Sequence, residues 1–255
     1  MLPRTALRRR LARIVPLLSG LFLLVACGGD SPTGPNLSES VTLQGSSTLL
    51  FQNAAAFGEH RSKIEQVAKD TLAAAARLIP LSGITIIVRP GRDNVIPEIG
   101  IGGRADAGTI SLTIDTNSGA WVSSLDTQLL PLLAHEMHHV ARFRALGLYA
   151  NLLDAMVGEG LADHFSVEVA ATAPPIWAVA LTAADLDTWL QRARQEWSNA
   201  GYDHGAWFFG TAPPIPRWAG YSIGFSMIGK FLAADSSRSA SELYAEPSNS
   251  FAPTQ

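Results

Sequence analysis

The chain has 255 residues, with 19 Lys and Arg against 22 Asp and Glu, and a formal net charge of −3. Its basic residues form no cluster of the kind that binds nucleic acid, which argues against a nucleic-acid partner. The single cysteine, Cys27, excludes a disulfide within the chain.

Residues 1–26 are typical of an export signal. Five Arg and no acidic residue lie in this segment, and its apolar stretch, residues 14–26, is too short and too broken to be a stable membrane span. The stretch ends in Leu24-Val25-Ala26-Cys27, which resembles the bacterial lipobox, whose cysteine is acylated and becomes the mature N terminus. We therefore expect a lipoprotein of the cell envelope that is anchored through Cys27. The next residue is Gly28 and not the Asp that would favour retention at the inner membrane. The outer membrane is therefore favoured over the inner one.

The remainder of the chain divides into three parts by composition. Residues 27–40 are rich in Gly, Ser, Pro and Asn and are expected to form a flexible tether. Residues 41–235 are long enough for one domain with a substantial core. The polar residues 236–255 are expected to be a loosely ordered tail. Removal of residues 1–26 leaves 14 basic against 22 acidic residues, a formal charge of −8.

The first half of the domain predicts one helix and a small mixed sheet. Apolar residues recur at helical spacing over residues 62–79, and a proline ends the run. The β-branched run 84–88, bounded by glycine and proline, is typical of a buried strand. Two more extended segments, 99–101 and 108–114, are separated by turn-prone residues and predict a hairpin.

The second half is predicted to be helical, which makes the fold class α+β. The apolar run Leu125–Leu146 predicts a helix that ends before a glycine. Because proline is tolerated only in the first helical turn, Pro131 indicates that this helix begins near Leu130. Asn151–Ala171 is a second helix, and its first residue is a good N-cap. Two further helices are predicted over residues 181–198 and 221–232.

The first of these helices contains an H-E-x-x-H motif, His135-Glu136-Met137-His138-His139. Residues four apart in an α-helix project from one face, so the imidazoles of His135 and His139 can bind the same Zn²⁺. Glu136 then lies beside the metal as the natural general base. The motif therefore predicts a catalytic zinc site.

Catalytic zinc needs a third protein ligand, and Glu159 is the leading candidate. It lies 20 residues after His139, on the next helix, and two helices with a short connection pack antiparallel. Asp163 is one turn further on the same face and could accept the free ring N–H of His135. The glycines on both sides of Glu159 are costly in a helix and indicate a close approach to a neighbouring helix.

These ligand motifs resemble those of the gluzincin branch of zinc metallopeptidases. More narrowly, LLAHEMHHVARF, LLDAMVGEGLADHF and the later AGYSIG are similar to the YjaZ-like family of predicted zinc-dependent proteases. The resemblance implies a zincin-like fold, one Zn²⁺ on His135, His139 and Glu159, and Glu136 acting on the attacking water. Zincin-like folds pair an edge strand with an extended substrate, and Thr109–Ile114 is the segment that we nominate.

Several alternatives remain open at this point. His138 or His164 could replace one of the three ligands. A second donor to the developing oxyanion is needed besides zinc, and Tyr221 is the first candidate, followed by His204.

The predicted function is hydrolysis of peptide bonds in a peptide or protein substrate. Two alternative interpretations are a non-catalytic envelope binding or assembly factor on the same scaffold, and a zinc amidase that acts on a non-protein amide. The intact base Glu136 beside three ligands argues against a purely structural site, which is usually closed by four ligands. The oligomeric state is left open.

Overall fold

The computed structural model describes residues 38–252 of the chain. The predicted signal, the lipid-anchor residue Cys27 and most of the predicted tether therefore lie outside the described residues. The first strand begins at Glu39, inside the segment that we predicted to be tether, because residues 39–42 pair with a neighbouring strand.

A five-stranded mixed sheet forms the N-terminal half of the fold. Its spatial order is β1-β2-β3-β5-β4, with β2, β3 and β5 parallel and the outer strands β1 and β4 antiparallel to their neighbours. Burial alternates along β2 and β3, where Leu49, Phe51, Ile86 and Val88 are buried and the residues between them are partly exposed, so one face of the sheet packs more tightly on the core than the other. The five strands are β1 (Glu39–Thr42), β2 (Thr48–Phe51), β3 (Thr85–Pro90), β4 (Ile101–Ala105) and β5 (Thr109–Ile114).

The sheet confirms the predicted strand at 84–88 and the predicted hairpin, which is the antiparallel pair β4 and β5. The nomination of Thr109–Ile114 as an edge strand is wrong. This segment is β5, and β3 and β4 bond to it on its two sides, so its backbone groups are already paired. The outer strand on this side of the sheet is β4, and its first residue, Ile101, is bridged to Ile96, so within the part of the chain that the structure describes its free edge begins after Ile101.

Between residues 38 and 252, six α-helices follow or flank the sheet, and the α+β fold class is confirmed. The predicted helix from Leu125 is two helices that meet at Gln128, and Pro131 lies in the first turn of the second one. The side chain of Asn151 caps the next helix by accepting the N–H of Asp154 at 3.0 Å. The helices are α1 (Arg61–Ala75), α2 (Ala120–Thr127), α3 (Leu129–Leu146), α4 (Leu152–Ala170), α5 (Ala183–Arg194) and α6 (Ala219–Ala234).

Helix α4 lies at the centre of the helical half and packs against both α3 and α6. A Cβ at Gly160 would overlap the backbone of Gly224 on α6, and a Cβ at Gly224 would overlap the backbone of Met156. The two helix backbones are therefore in direct contact. This contact explains one of the two glycines that flank Glu159.

The C-terminal segment is not the loose tail that its composition predicted. Leu243 and Phe251 are buried, and the guanidinium of Arg142 on α3 donates to the carbonyls of Tyr244 and Glu246 at 3.2 and 2.9 Å and to Ser248 Oγ at 2.9 Å. A polar segment can be ordered in this way because its own backbone oxygens satisfy a buried cation.

Replacement of Arg142 by Met should lower the free energy of unfolding by about 3 kcal/mol, since hydrogen bonds from a charged donor to buried acceptors are lost. It should also make residues 236–252 susceptible to proteolysis. Denaturant unfolding and limited proteolysis measure the two effects. Arg144→Met is the matched control, because Arg144 lies on the same helix but is exposed, and its loss should be at most about 1 kcal/mol. Equal losses in the two variants would contradict the anchoring role of Arg142.

Candidate metal centre

Three side chains from two antiparallel helices converge on one point. Helix α3 provides His135 and His139, and α4 provides Glu159, after a short connection that begins at Gly147. The two Nε2 atoms lie 2.9 Å apart, and Glu159 Oε2 lies 3.1 Å from that of His135 and 3.3 Å from that of His139. All three side chains are buried.

The geometry of this group fits a zinc ion. Tetrahedral zinc with bonds of about 2.0–2.1 Å holds its ligand atoms about 3.3 Å apart, and the three separations are close to that value. Two imidazole nitrogens and a carboxylate oxygen are also the donor set that catalytic zinc prefers. Such a set of buried electron-pair donors is costly without a cation between them. His135, His139 and Glu159 therefore form a group that could hold a metal ion.

Asp163 lies behind the first ligand, at the position expected for an orienting group. Its Oδ1 is 2.8 Å from His135 Nδ1 and accepts a second hydrogen bond from Trp177 Nε1 at 2.9 Å. An Nδ1–H donated to this carboxylate leaves the Nε2 lone pair of His135 directed at the metal position. Trp177 is distant in sequence and was not predicted.

Without a metal, electrostatics favour a charged carboxylate on Glu159 and a proton on His135. Burial opposes the charge on Glu159, but the neighbouring His139 and His135 hold the pKa of its carboxyl below its usual value. Burial would lower the pKa of His135, and the carboxylates of Asp163 and Glu159 reverse that effect and raise it. The cluster thus holds two carboxylates close to two imidazoles, an arrangement that attracts a cation.

Glu136 lies directly beside the cluster of His135, His139 and Glu159, and their charges affect its carboxyl. Its side chain is buried, and among residues 38–252 its Oε2 has no hydrogen-bond partner. Burial raises the pKa of this carboxyl, while His135 and His139 oppose the shift. A Cβ at Gly103 of β4 would overlap the carboxylate, so the strand passes directly over Glu136 and a larger residue at this point would displace its side chain.

A cleft of about 670 Å³ opens beside the metal centre and is large enough for part of a peptide. Strand β4 contributes one wall, and aromatic side chains contribute much of the other. Tyr221 and His204, the two oxyanion candidates, both lie in the lining. Burial raises the pKa of Tyr221 well above its usual value, so its hydroxyl keeps the proton and can donate. His204 is stacked on Phe208 with ring centroids 4.5 Å apart, and burial lowers its pKa.

The two alternative ligands lie elsewhere. His138 is fully buried and packs against Phe165 of α4, with ring centroids 5.5 Å apart. His164 Nε2 lies 2.9 Å from the carbonyl oxygen of Phe225, and the two rings are stacked with centroids 4.0 Å apart. Neither imidazole reaches the group formed by His135, His139 and Glu159.

Sequence reasoning missed Tyr149, which lies in the connection between α3 and α4. Its hydroxyl is 3.0 Å from His139 Nδ1 and 3.3 Å from Glu159 Oε1, so it contacts two of the three ligand side chains. Burial raises the pKa of this hydroxyl well above its usual value. The only sequence signal was the aromatic residue two positions after Gly147, which by itself indicates no site.

Comparison with known proteins places this centre in a family. Residues 64–252 match the family described as "Predicted Zn-dependent protease (DUF2268)", a match that includes every residue of the cluster. No curated protein matches the chain. Within residues 38–252 no helix combines the length and the apolar character needed to cross a membrane. The chain belongs to the DUF2268 family of predicted Zn-dependent proteases, in agreement with its resemblance to the YjaZ-like proteins.

Proposed function

We propose that this protein is a zinc-dependent hydrolase of peptide bonds. The observation that carries the proposal is the convergence of His135, His139 and Glu159 beside the free carboxylate oxygen of Glu136, at the wall of an open cleft. A structural zinc site is usually closed by four protein ligands, whereas three ligands and access to the cleft suit catalysis. Bound zinc would supply a Lewis acid that polarises the scissile carbonyl and acidifies the attacking water.

Glu136 is the residue that moves protons in this proposal. It accepts a proton from the attacking water and then delivers it to the leaving amine. The raised pKa of the buried carboxyl suits this role, because a proton acceptor works best when its pKa approaches the working pH. Tyr221 is the first candidate to donate a hydrogen bond to the developing oxyanion, and His204 is the second.

The free edge of β4 is the proposed binding site for the substrate backbone. The carbonyl of Ile101 accepts the N–H of Ile96 on the side of β4 that faces away from β5. The N–H of Asp106, just after β4, points the other way and donates to the carbonyl of Thr109 on β5. Backbone groups of an antiparallel strand alternate in direction, so Gly103 and Ala105 direct theirs away from β5. An extended peptide can pair with them as an added strand, directly beside Glu136.

The location of this activity is proposed from the sequence alone. The signal-like residues 1–26 and the lipobox-like segment that ends at Cys27 support export and lipid anchoring to the cell envelope, with the outer membrane favoured. A tether of little more than ten residues would keep the domain close to the membrane surface.

Glu136→Gln should retain about one zinc per chain and lower kcat by about 10²- to 10⁴-fold, because it removes the proton acceptor and leaves the ligands in place. His139→Ala should lose both the zinc and the turnover. Metal analysis and cleavage of a library of short peptides measure these effects. Full function of the Glu136→Gln variant in the native host would favour the binding-factor alternative. Full peptide turnover by this variant would show that Glu136 is not the proton acceptor.

Ala105→Pro should lower kcat/KM by about five- to tenfold, because it removes one outward N–H from the edge that binds the substrate. The unfolding midpoint should stay near that of the wild type, since proline is tolerated where the N–H faces away from the sheet. Arg104→Pro is the control, as its N–H points to β5 and its loss should destabilise the sheet. An Ala105→Pro variant with unchanged kcat/KM would show that the substrate does not pair with β4.

Cys27→Ser should abolish incorporation of labelled fatty acid into the protein and release the domain from the membrane fraction. Fatty-acid labelling of the cells that express the chain, followed by fractionation, measures both effects. Retention of label in the Cys27→Ser protein would exclude this cysteine as the lipid anchor.

A further inference from the structure

Tyr149 is a side chain of the cleft whose hydroxyl contacts candidate ligands from both helices. It lies 3.0 Å from His139 Nδ1 on α3 and 3.3 Å from Glu159 Oε1 on α4. The proposed reaction assigns it no task. Its position between two ligands nevertheless constrains both of them.

The Tyr149 hydroxyl has one proton, so it can donate to only one of its two neighbours and must accept from the other. When His139 presents the Nε2 lone pair to a metal, its Nδ1 carries the ring proton and donates it to the tyrosine oxygen. The hydroxyl proton is then free to be donated to Glu159 Oε1. This chain of donors leaves Glu159 Oε2 as the oxygen that faces the two Nε2 atoms, which is the arrangement observed.

The site of the tyrosine ring is built into the neighbouring helix. A Cβ at Gly158, the residue before Glu159, would overlap the ring and hydroxyl of Tyr149. Glycine within a helix is unfavourable, and here it gives the tyrosine access to both ligands. Phe143 packs against the ring edge with centroids 5.0 Å apart and limits its movement.

We propose that Tyr149 is a positioning residue of the metal centre, which fixes the tautomer of His139 and orients Glu159 so that a single carboxylate oxygen faces the ion. Asp163 and Trp177 orient His135 in a comparable way, but Tyr149 ties together ligands from two different helices. The inference rests on the proposed metal site. Its readout is metal affinity, so that it can fail independently of the proposed hydrolysis.

The test compares the zinc affinity of the full chain and its variants, after metal removal, by competition with a chelator. Tyr149→Phe should weaken zinc binding by about 10- to 100-fold, the usual effect of losing a partner that orients a ligand. The phenylalanine keeps the ring, so the metal-free protein should unfold at nearly the wild-type midpoint. Tyr202→Phe is the matched control, because that hydroxyl lines the same cleft but contacts His204, which is not a ligand. Its zinc affinity should stay within about twofold of the wild type.

A second variant displaces the hydroxyl without removing it. Gly158→Ala should push the Tyr149 ring away and weaken zinc binding, and the double variant Tyr149→Phe/Gly158→Ala should bind no more weakly than the weaker single variant, because both changes break the same contact. The absorption spectrum of Co²⁺ bound in place of zinc should change in both single variants, which reports altered coordination directly.

Two results would overturn the inference alone. Wild-type zinc affinity in Tyr149→Phe would show that the hydroxyl does not position the ligands, and lowered turnover at unchanged zinc affinity would place Tyr149 in contact with the substrate instead. A wild-type chain that binds zinc no better than His139→Ala would overturn the proposed function and this inference with it.

Discussion

The structure depends on two buried carboxylates and two imidazoles being held together at the interface of α3 and α4. Such a group is unfavourable by itself, since each polar atom has given up its contact with water. A divalent cation between the three converging atoms would offset that cost. The three atoms of His135, His139 and Glu159 that converge are separated by 2.9 to 3.3 Å, close to the spacing that tetrahedral zinc imposes.

Three glycines lie at close contacts around this group. Gly103 allows β4 to pass over Glu136, Gly158 admits Tyr149 between two ligands, and Gly160 brings α4 against the backbone of α6. Each glycine weakens its own helix or strand by about 1 kcal/mol. What the fold gains is a rigid centre with supporting contacts on several sides and one open side at the cleft.

The parts of the site that depend on local rules were predictable from the sequence. Helical spacing placed His135 and His139 on one face, and a good N-cap and a short connection brought Glu159 to them. Strand order was not predictable, because pairing of β5 with β3 joins segments far apart in the chain, and this is why the wrong strand of the hairpin was nominated as the edge. The position of Tyr149 depends on the path of an irregular connection, for which spacing gives no rule.

The most direct test of this account is a crystal structure of the zinc-loaded chain, with anomalous diffraction measured at the zinc absorption edge. The account predicts one strong anomalous peak about 2.0–2.1 Å from His135 Nε2, His139 Nε2 and Glu159 Oε2. A peak ligated by His138 or His164 in place of these residues, or no peak between α3 and α4, would contradict it.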